Sequence, residues 1–383
     1  MRFPEFTDEW KKEQLGDIAD FSKGAGISKE QLSGKGEPCI LYGELYTKYK
    51  SEVIYDIISK TDIDSTKSVR SQANDVIIPS SGETAEDIAT ARCVLKNNIL
   101  LGGDLNIIRL HKHSGSFMSY QLNGKRKYDI AKVAQGVSVV HLYAEHLKGV
   151  NTYNPCMEEQ EKIARLLSLL DERIATQNKI IEDLKKLKSA IIEMEYGNMA
   201  KSISHIGDFI EQTSKRNKDS AILNVLSVSN SQGFIQQSEQ FENRIVASDD
   251  TSNYKIVARN DFAFNPARIN VGSIARLTTF ERGIVSPMYI CFRTKNNLFP
   301  EYLDYFFESK RFFAEIQKRL EGSVRQCLSF EGLCNIPLCI PTVEVQQQIG
   351  KRLSTLAKEI KLEIDFLELL QRQKRFLLHQ MFI

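Results

Sequence analysis

The sequence predicts an α/β (α+β) protein made of two similar globular domains separated by two long antiparallel coiled-coil helices, with a pseudo-two-fold internal repeat. Three observations predict it. The segment NTYNPCMEEQEKIARLLSLLDERI in the middle of the chain returns near its end as LCIPTVEVQQQIGKRLSTLAKEI, with Pro155, Gln160, Ile163 and Leu170 matched by Pro341, Gln346, Ile349 and Leu356 at a constant spacing of 186 residues. Each segment is a long run of helical periodicity. Before each lies a stretch rich in short β-type runs bounded by Gly, Asp and Ser. A fixed internal period is the mark of a chain built from one plan used twice.

The order along the chain follows. Residues 1–150 form the first globular domain, with strands at VIIP (Val76–Pro79) and LNIIRL (Leu105–Leu110) and helical periodicity near Tyr128–Val133. Residues 151–197 form the first long helical segment. Residues 198–340 form the second domain, with strands in NVLSV, YKIVA, DFAFN and MYICF and one helix over Glu301–Leu320. Residues 341–383 form the second helical segment. The repeat extends into the domains: Gly136, Leu142 and Leu147 match Gly322, Leu328 and Leu333, and Asp75 matches Asp261. LGDI at Leu15 pairs with IGDF at Ile206, at a slightly longer spacing. The frame is duplicated while the loops between have diverged, which is how a recognition scaffold changes specificity.

In the first helix Ile163, Leu167, Leu170, Ile174, Ile181, Leu184 and Ile191 recur at helical steps, and Ile349, Leu353, Leu356, Ile360, Leu367, Leu370 and Leu377 hold the same places in the second. This is a coiled-coil pattern among Glu, Lys, Gln and Arg. Burying each Leu or Ile is worth about 1.5–3 kcal/mol, so the stripe needs a partner. The sister helix of the same chain supplies one; antiparallel pairing then brings Met1 and Ile383 near each other. Pro155 and Pro341 each precede a helix, where a missing N–H costs little.

Composition limits the function. With 51 basic and 49 acidic side chains the net charge is only +2, so any nucleic-acid binding comes from local patches. Seven cysteines without a C-x-x-C fit reduced thiols and a cytoplasmic location. No apolar run reaches bilayer length, so no membrane is expected. No cofactor and no metal are expected: GAG and GKG lack a P-loop frame, and His111-x-His113 and His141/His146 lack supporting ligands. N-P-A-R at Asn265–Arg268 approaches the N-P-P-[YF] of adenine methyltransferases, but Arg268 stands where an aromatic would stack on a flipped base, and no methyl-donor motif accompanies it. No catalytic residue is expected.

Basic, amide and aromatic residues interleave in several loops, as phosphate clamping and base reading require. Candidate DNA-facing residues are Lys29, Tyr46, Tyr49, Ser80, Lys125, Arg126, Lys127, Lys132 and His141 in the first half. In the second half they are Lys215, Arg216, Asn265, Arg268, Asn270, Arg325 and Gln326.

At this point the chain resembles the specificity (S) subunits of Type I restriction–modification systems. The resemblance rests on R-F-P-x-F…W at Arg2–Trp10, L-G-D-I, G-I-S-K at Gly26–Lys29, Y-G-E-L-Y-T at Tyr42–Thr47 and N-P-A-R-I-N-V-G-S-I at Asn265–Ile274. Above all it rests on P-x-x-E-Q-x-x-I-A-x-x-L-x-x-L-D at Pro155–Asp171. The second copy keeps Gln346 but has Val345 in place of Glu159, a departure expected to weaken local capping. The resemblance implies two target-recognition domains, each reading one half of a bipartite, asymmetric target in double-stranded DNA. It implies helices that set the spacer and dock two modification (methyltransferase) subunits, joined by restriction (translocase/nuclease) subunits. A stand-alone adenine-specific methyltransferase and a coiled-coil adaptor without sequence specificity are the alternatives.

Overall fold

The structure is a computed structural model, and it describes residues 2–64, 66, 68–136, 139–197, 204–230, 232–237, 250–322 and 326–382. Both termini, Met1 and Ile383, lie outside the described residues. The chain divides into two compact units, Met1–Lys179 with Asp365–Ile383 and Ile180–Ile364. Each unit therefore holds one globular domain and pieces of both long helices.

In the first unit a five-stranded sheet runs in the order Ala19–Lys23, Leu105–Leu110, Asp75–Pro79, Arg92–Val94, Val53–Ile54. A second one runs Leu32–Ser33, Ser59–Thr61, Glu37–Ile40, Leu100–Leu101, Val69–Arg70. Both expected strands are present, and Asp75–Pro79 is buried along its whole length, as a central strand's continuous apolar run requires. The helix Gly115–Asn123 covers the sheet and buries Phe117, Met118, Tyr120 and Leu122.

In the second unit one four-stranded sheet runs Ile210–Thr213, Ile290–Thr294, Phe262–Phe264, Ile274–Arg276 and another runs Gly233–Gln236, Val225–Ser229, Arg282–Val285, Lys255–Ala258. Its core is aromatic: Phe262 and Phe292 stack with centroids 5.1 Å apart, and Phe307 packs on Phe312 at 4.7 Å. The single helix expected over Glu301–Leu320 is two, Pro300–Phe306 and Lys310–Gln317. Ser309 causes the break. It is fully buried, and its hydroxyl accepts from the Phe312 N–H at 3.2 Å, an N-cap that starts a new helix.

The duplication is visible as repeated bonding. Asp75 and Asp261 are both buried and each follows an asparagine with positive φ, Asn74 and Asn260. Asp75 accepts from Gln72 N at 2.7 Å and pairs with Arg109 at 2.8 Å. Asp261 accepts from Ala258 N at 2.9 Å and pairs with Arg293 at 3.2 Å. Each carboxylate thus ties the turn before its strand to the neighbouring strand. Gly16 and Gly207 are small for one reason: a Cβ would lie 2.9 Å from Lys148 Cβ in one copy and 2.7 Å from Cys334 Cβ in the other.

The long helices span Met157–Gly197 and Val343–Gln380. Gln160 and Gln346 are buried near their starts. Gln160 donates to Pro155 O at 2.8 Å and accepts from Ser114 N at 3.0 Å; Gln346 donates to Pro341 O at 2.9 Å and accepts from Phe299 N at 2.7 Å. Ser114 and Phe299 are the N-cap residues of Gly115–Asn123 and Pro300–Phe306. One amide therefore pairs with the carbonyl just before one helix and with an orphan N–H at the start of another.

Glu159, beside Gln160, does not act as a cap. Its carboxylate is fully buried and holds Arg2 through two bonds, Nε and Nη2 each at 2.7 Å. Val345 therefore stands where there is no arginine to hold, since R-F-P-x-F occurs only at the start of the chain.

In the first unit the helices run antiparallel: Asp171 meets Lys374 at 2.5 Å, and Arg173 lies 5.3 Å over the Phe366 ring. Ile163, Leu167, Ile181, Ile349, Leu353, Ile360 and Leu370 are buried, and Leu170, Ile174, Leu184, Ile191, Leu356, Leu367 and Leu377 are half-buried. The outer members also hold the domains. Ile163 and Leu167 share a core with Trp10, Phe117, Met381 and Phe382. Ile349 and Leu353 share one with Tyr196, Tyr302 and Phe306.

Candidate nucleic-acid interface

In each domain the chain leaves its central strand and meets a distant segment at the same edge. In the first domain Leu142 N donates to Ser80 O at 3.0 Å, and Val140–His141 pairs with Ser81–Gly82. In the second, Leu328 N donates to Pro266 O at 3.0 Å. Ser80 and Pro266, like Leu142 and Leu328, are repeat partners. The buried leucines fix the brace, and what projects beside it differs between the copies.

The first edge gathers Tyr46, whose hydroxyl lies 3.5 Å from Ser81 O, and exposed His141. Ser80 is buried, with its hydroxyl 3.5 Å from Asp104 Oδ1. Tyr143 joins them, although no pattern in the sequence singles it out. It is 45% exposed, packs on His141 and His146, and carries Lys23 at 5.8 Å over its ring. A half-exposed tyrosine packed beside a lysine and two imidazoles leaves one aromatic face open to stacking.

The second edge gathers Asn265, Arg268, Asn270 and Gln326. Asn265 is buried, and its side-chain Oδ1 accepts from Ala267 N at 3.1 Å, so it braces the turn that presents Arg268. Arg268, Asn270 and Gln326 are exposed. Arg325 lies outside the described residues.

Other candidates sit elsewhere. Tyr49 belongs to the core; its hydroxyl accepts from Ile58 N at 3.2 Å, and burial pushes its pKa up to about 12. Lys29 is exposed on a short turn of helix, Lys29–Gln31. Lys125 is exposed beside Gly124, whose Cβ position lies 2.7 Å from Leu378 O. Arg126 packs over Tyr153 at 5.1 Å and pairs with Asp129 at 3.1 Å. Lys127 is half-buried, and Lys132 is exposed 4.3 Å over Tyr128. Lys215 and Arg216 are exposed on one loop of the second domain.

Among the described residues no group of three or more His, Cys, Asp or Glu could hold a metal ion. His111 faces Asp20 at 3.3 Å. His113 lies 3.5 Å from Glu13 and 3.0 Å from Gln160 Nε2, and burial lowers its pKa. All seven cysteines are free thiols. Among the described residues no helix is long and apolar enough to cross a membrane.

Two braced edges on one duplicated frame agree with the comparisons. The profile of the Type I restriction modification DNA specificity domain matches residues 7–186 and again 202–372. The chain belongs to this family. It is 22% identical, across 98% of its length and 92% of the relative's, to the Type I restriction enzyme MjaVIII specificity subunit of Methanocaldococcus jannaschii. Its fold matches the crystal structure of the Type I restriction–modification S subunit from M. genitalium with a TM-score of 0.64 at 16% identity, covering 100% of this chain and 97% of the other. A chain from a study of complex assembly and conformational transition in the type I R-M system matches with a TM-score of 0.56 at 12% identity, covering 98% of each. The specificity-domain repeat and the two-domain α/β fold expected from the sequence are both present.

Proposed function

We propose that this specificity subunit is the sequence-recognition component of a Type I restriction–modification complex, acting in the cytoplasm on double-stranded DNA. Residues 1–150 read one half of a bipartite, asymmetric target and residues 198–340 read the other. Segments 151–197 and 341–383 set the spacer and dock two modification subunits, which restriction subunits join. The observation that carries this reading is the repeated brace, Leu142 to Ser80 and Leu328 to Pro266, with different side chains beside it. A common frame with unlike edges suits two unlike half-sites.

The chain itself supplies no chemistry in this reading. Asn265 is occupied with its own turn, and Arg268 offers no aromatic face. Docking by the helices is supported by apolar side chains left exposed at seven-residue spacing. These are Ile180, Leu187 and Met194 on the first helix and Leu362, Leu369 and Phe376 on the second. Such stripes suit partner helices. A gel shift with the chain assembled on its modification subunits tests the reading. The target duplex should be retained at protein concentrations that leave a scrambled duplex free. Equal retention of both would leave only a non-specific adaptor.

A further inference from the structure

The second domain carries a cleft of about 680 Å³ under the loop that follows the strand Ile210–Thr213. Four cations line it, Lys215, Arg216, Lys218 and Arg282, against one carboxylate, Asp219. All four are exposed, and among the described residues none is ion-paired. Arg216 is steered by a neutral partner, Asn253 Oδ1 at 2.8 Å, which leaves its charge intact.

The loop is not a loose run of lysines. Asn217, at its centre, is fully buried. Its side chain donates to Ile222 O at 2.9 Å and accepts from Ile222 N at 3.1 Å. Its backbone N–H donates to Tyr254 O at 3.0 Å, and its carbonyl accepts from Ser220 N at 2.9 Å. Ile256 N donates to Lys215 O at 2.8 Å, which ties the loop to the edge strand Lys255–Ala258. A polar side chain is expensive to bury unless every bond is made. Here the bonds hold the cations on either side of Asn217 outward around one concavity.

The first domain has a cleft beside the loop Gly26–Leu32, which follows the equivalent strand Ala19–Lys23. There Lys29 and Lys48 face Glu30, Glu44 and Asp104, and Lys48 is bound to Glu44 at 2.7 Å. The cleft after this strand is therefore cationic in one copy and net acidic in the other, with two cations against three carboxylates.

We propose that the 214–222 loop of the second domain is a clamp for the DNA sugar–phosphate backbone. Lys215, Arg216, Lys218 and Arg282 neutralise phosphates, and Asn217 is the positioning residue that holds the loop. The proposal rests on the sequence-recognition reading and assigns this site the sequence-independent part of the affinity. Such contacts set the register of a domain on the duplex and carry no base information.

The test is the salt dependence of binding, measured by fluorescence anisotropy with a labelled target duplex and the chain assembled on its modification subunits. Each phosphate contact contributes a slope of about −0.9 in log K against log [salt]. Arg216→Gln and Lys218→Gln should each flatten the slope by roughly 0.9, and the double variant by roughly 1.8. Affinity should fall by the same factor on the target and on a duplex with one base pair changed. Asn217→Ala removes no charge yet should also flatten the slope, which a purely structural residue far from DNA would not do. Because Asn217→Ala can simply unfold the loop, the two surface glutamine variants decide the matter. Unchanged slopes in both, with wild-type still preferring its target, would overturn the clamp and leave the recognition reading standing. A change in preference at one base pair would make these residues base readers and overturn it likewise. A wild-type complex with no preference for its target would instead sink the recognition reading itself.

Discussion

Gln160→Ala should cost the first unit about 2–4 kcal/mol, and the same change at Gln346 should cost the second unit a similar amount. Each glutamine is buried and makes three bonds, to Pro155 O, Ser114 N and His113 Nδ1 in one copy and to Pro341 O, Phe299 N and Asn297 O in the other. Removing the amide leaves a carbonyl and an N–H, each at least partly buried, without that partner, at up to about 1–3 kcal/mol each. Trp10 is the only tryptophan of the chain and is buried against Phe117 and Phe382 in the first unit. Its fluorescence therefore follows that unit alone. With an m-value of about 2–3 kcal/mol/M in urea, the Trp10 midpoint should fall by about 1 M in Gln160→Ala. In Gln346→Ala the Trp10 midpoint should stay, while amide exchange rises across Pro300–Phe306. Midpoint shifts below about 0.2 M for Gln160→Ala would refute the claim that these amides lock helix to domain. So would exchange unchanged at the second site.

Lys374→Met should be far more damaging than Lys188→Met, although the two lysines are repeat partners. Lys374 neutralises two buried carboxylates, Glu52 and Asp171. Removing one member of a buried ion group costs about 3–5 kcal/mol. Lys188 pairs with Glu308, which is 47% exposed, and an exposed pair is worth about 0–1 kcal/mol; chemical denaturation of both variants checks the ratio. Burial pushes the Asp304 carboxyl up to about 6, despite the Arg276 guanidinium at 3.1 Å. The folded state then holds its proton more tightly than the unfolded chain, so this contribution is complete below about pH 4 and is lost as pH rises to about 6. Urea midpoints of Asp304→Asn across that window should be flatter than those of wild-type. Inserting one heptad between Ile174 and Ile181 adds about 10 Å to the first helix. It should lengthen the recognised spacer by roughly three base pairs or abolish binding through the mismatched sister helix, as methylated-site mapping would reveal.

What the sequence made legible was the part of the protein held by the backbone. Gln160 and Gln346, Asp75 and Asp261, and Leu142 and Leu328 keep their identities because each satisfies a fixed main-chain geometry or fills a fixed gap. A constant spacing therefore reports them. Side-chain direction was not legible. Tyr46 and Tyr49 stand in one basic, aromatic run, yet Tyr46 reaches the edge at Ser81 while Tyr49 lies in the core. Tyr143 carries no local signal, because its lysine partner, Lys23, comes from a distant strand. The break at Ser309 was masked by helical periodicity on both sides. The role of Glu159 needed Arg2, 157 residues away, to be seen beside it. Long-range partners of this kind leave no local pattern in a sequence.

Each domain is proposed to read its own half-site. Replacing residues 1–150 with the first domain of a related specificity subunit tests this. The exchanged chain is expressed with its modification subunits, and the methylated sites of those cells are sequenced. The expected target changes in one half and keeps the other half and the spacer. A target changed in both halves, or in neither, would contradict that proposal.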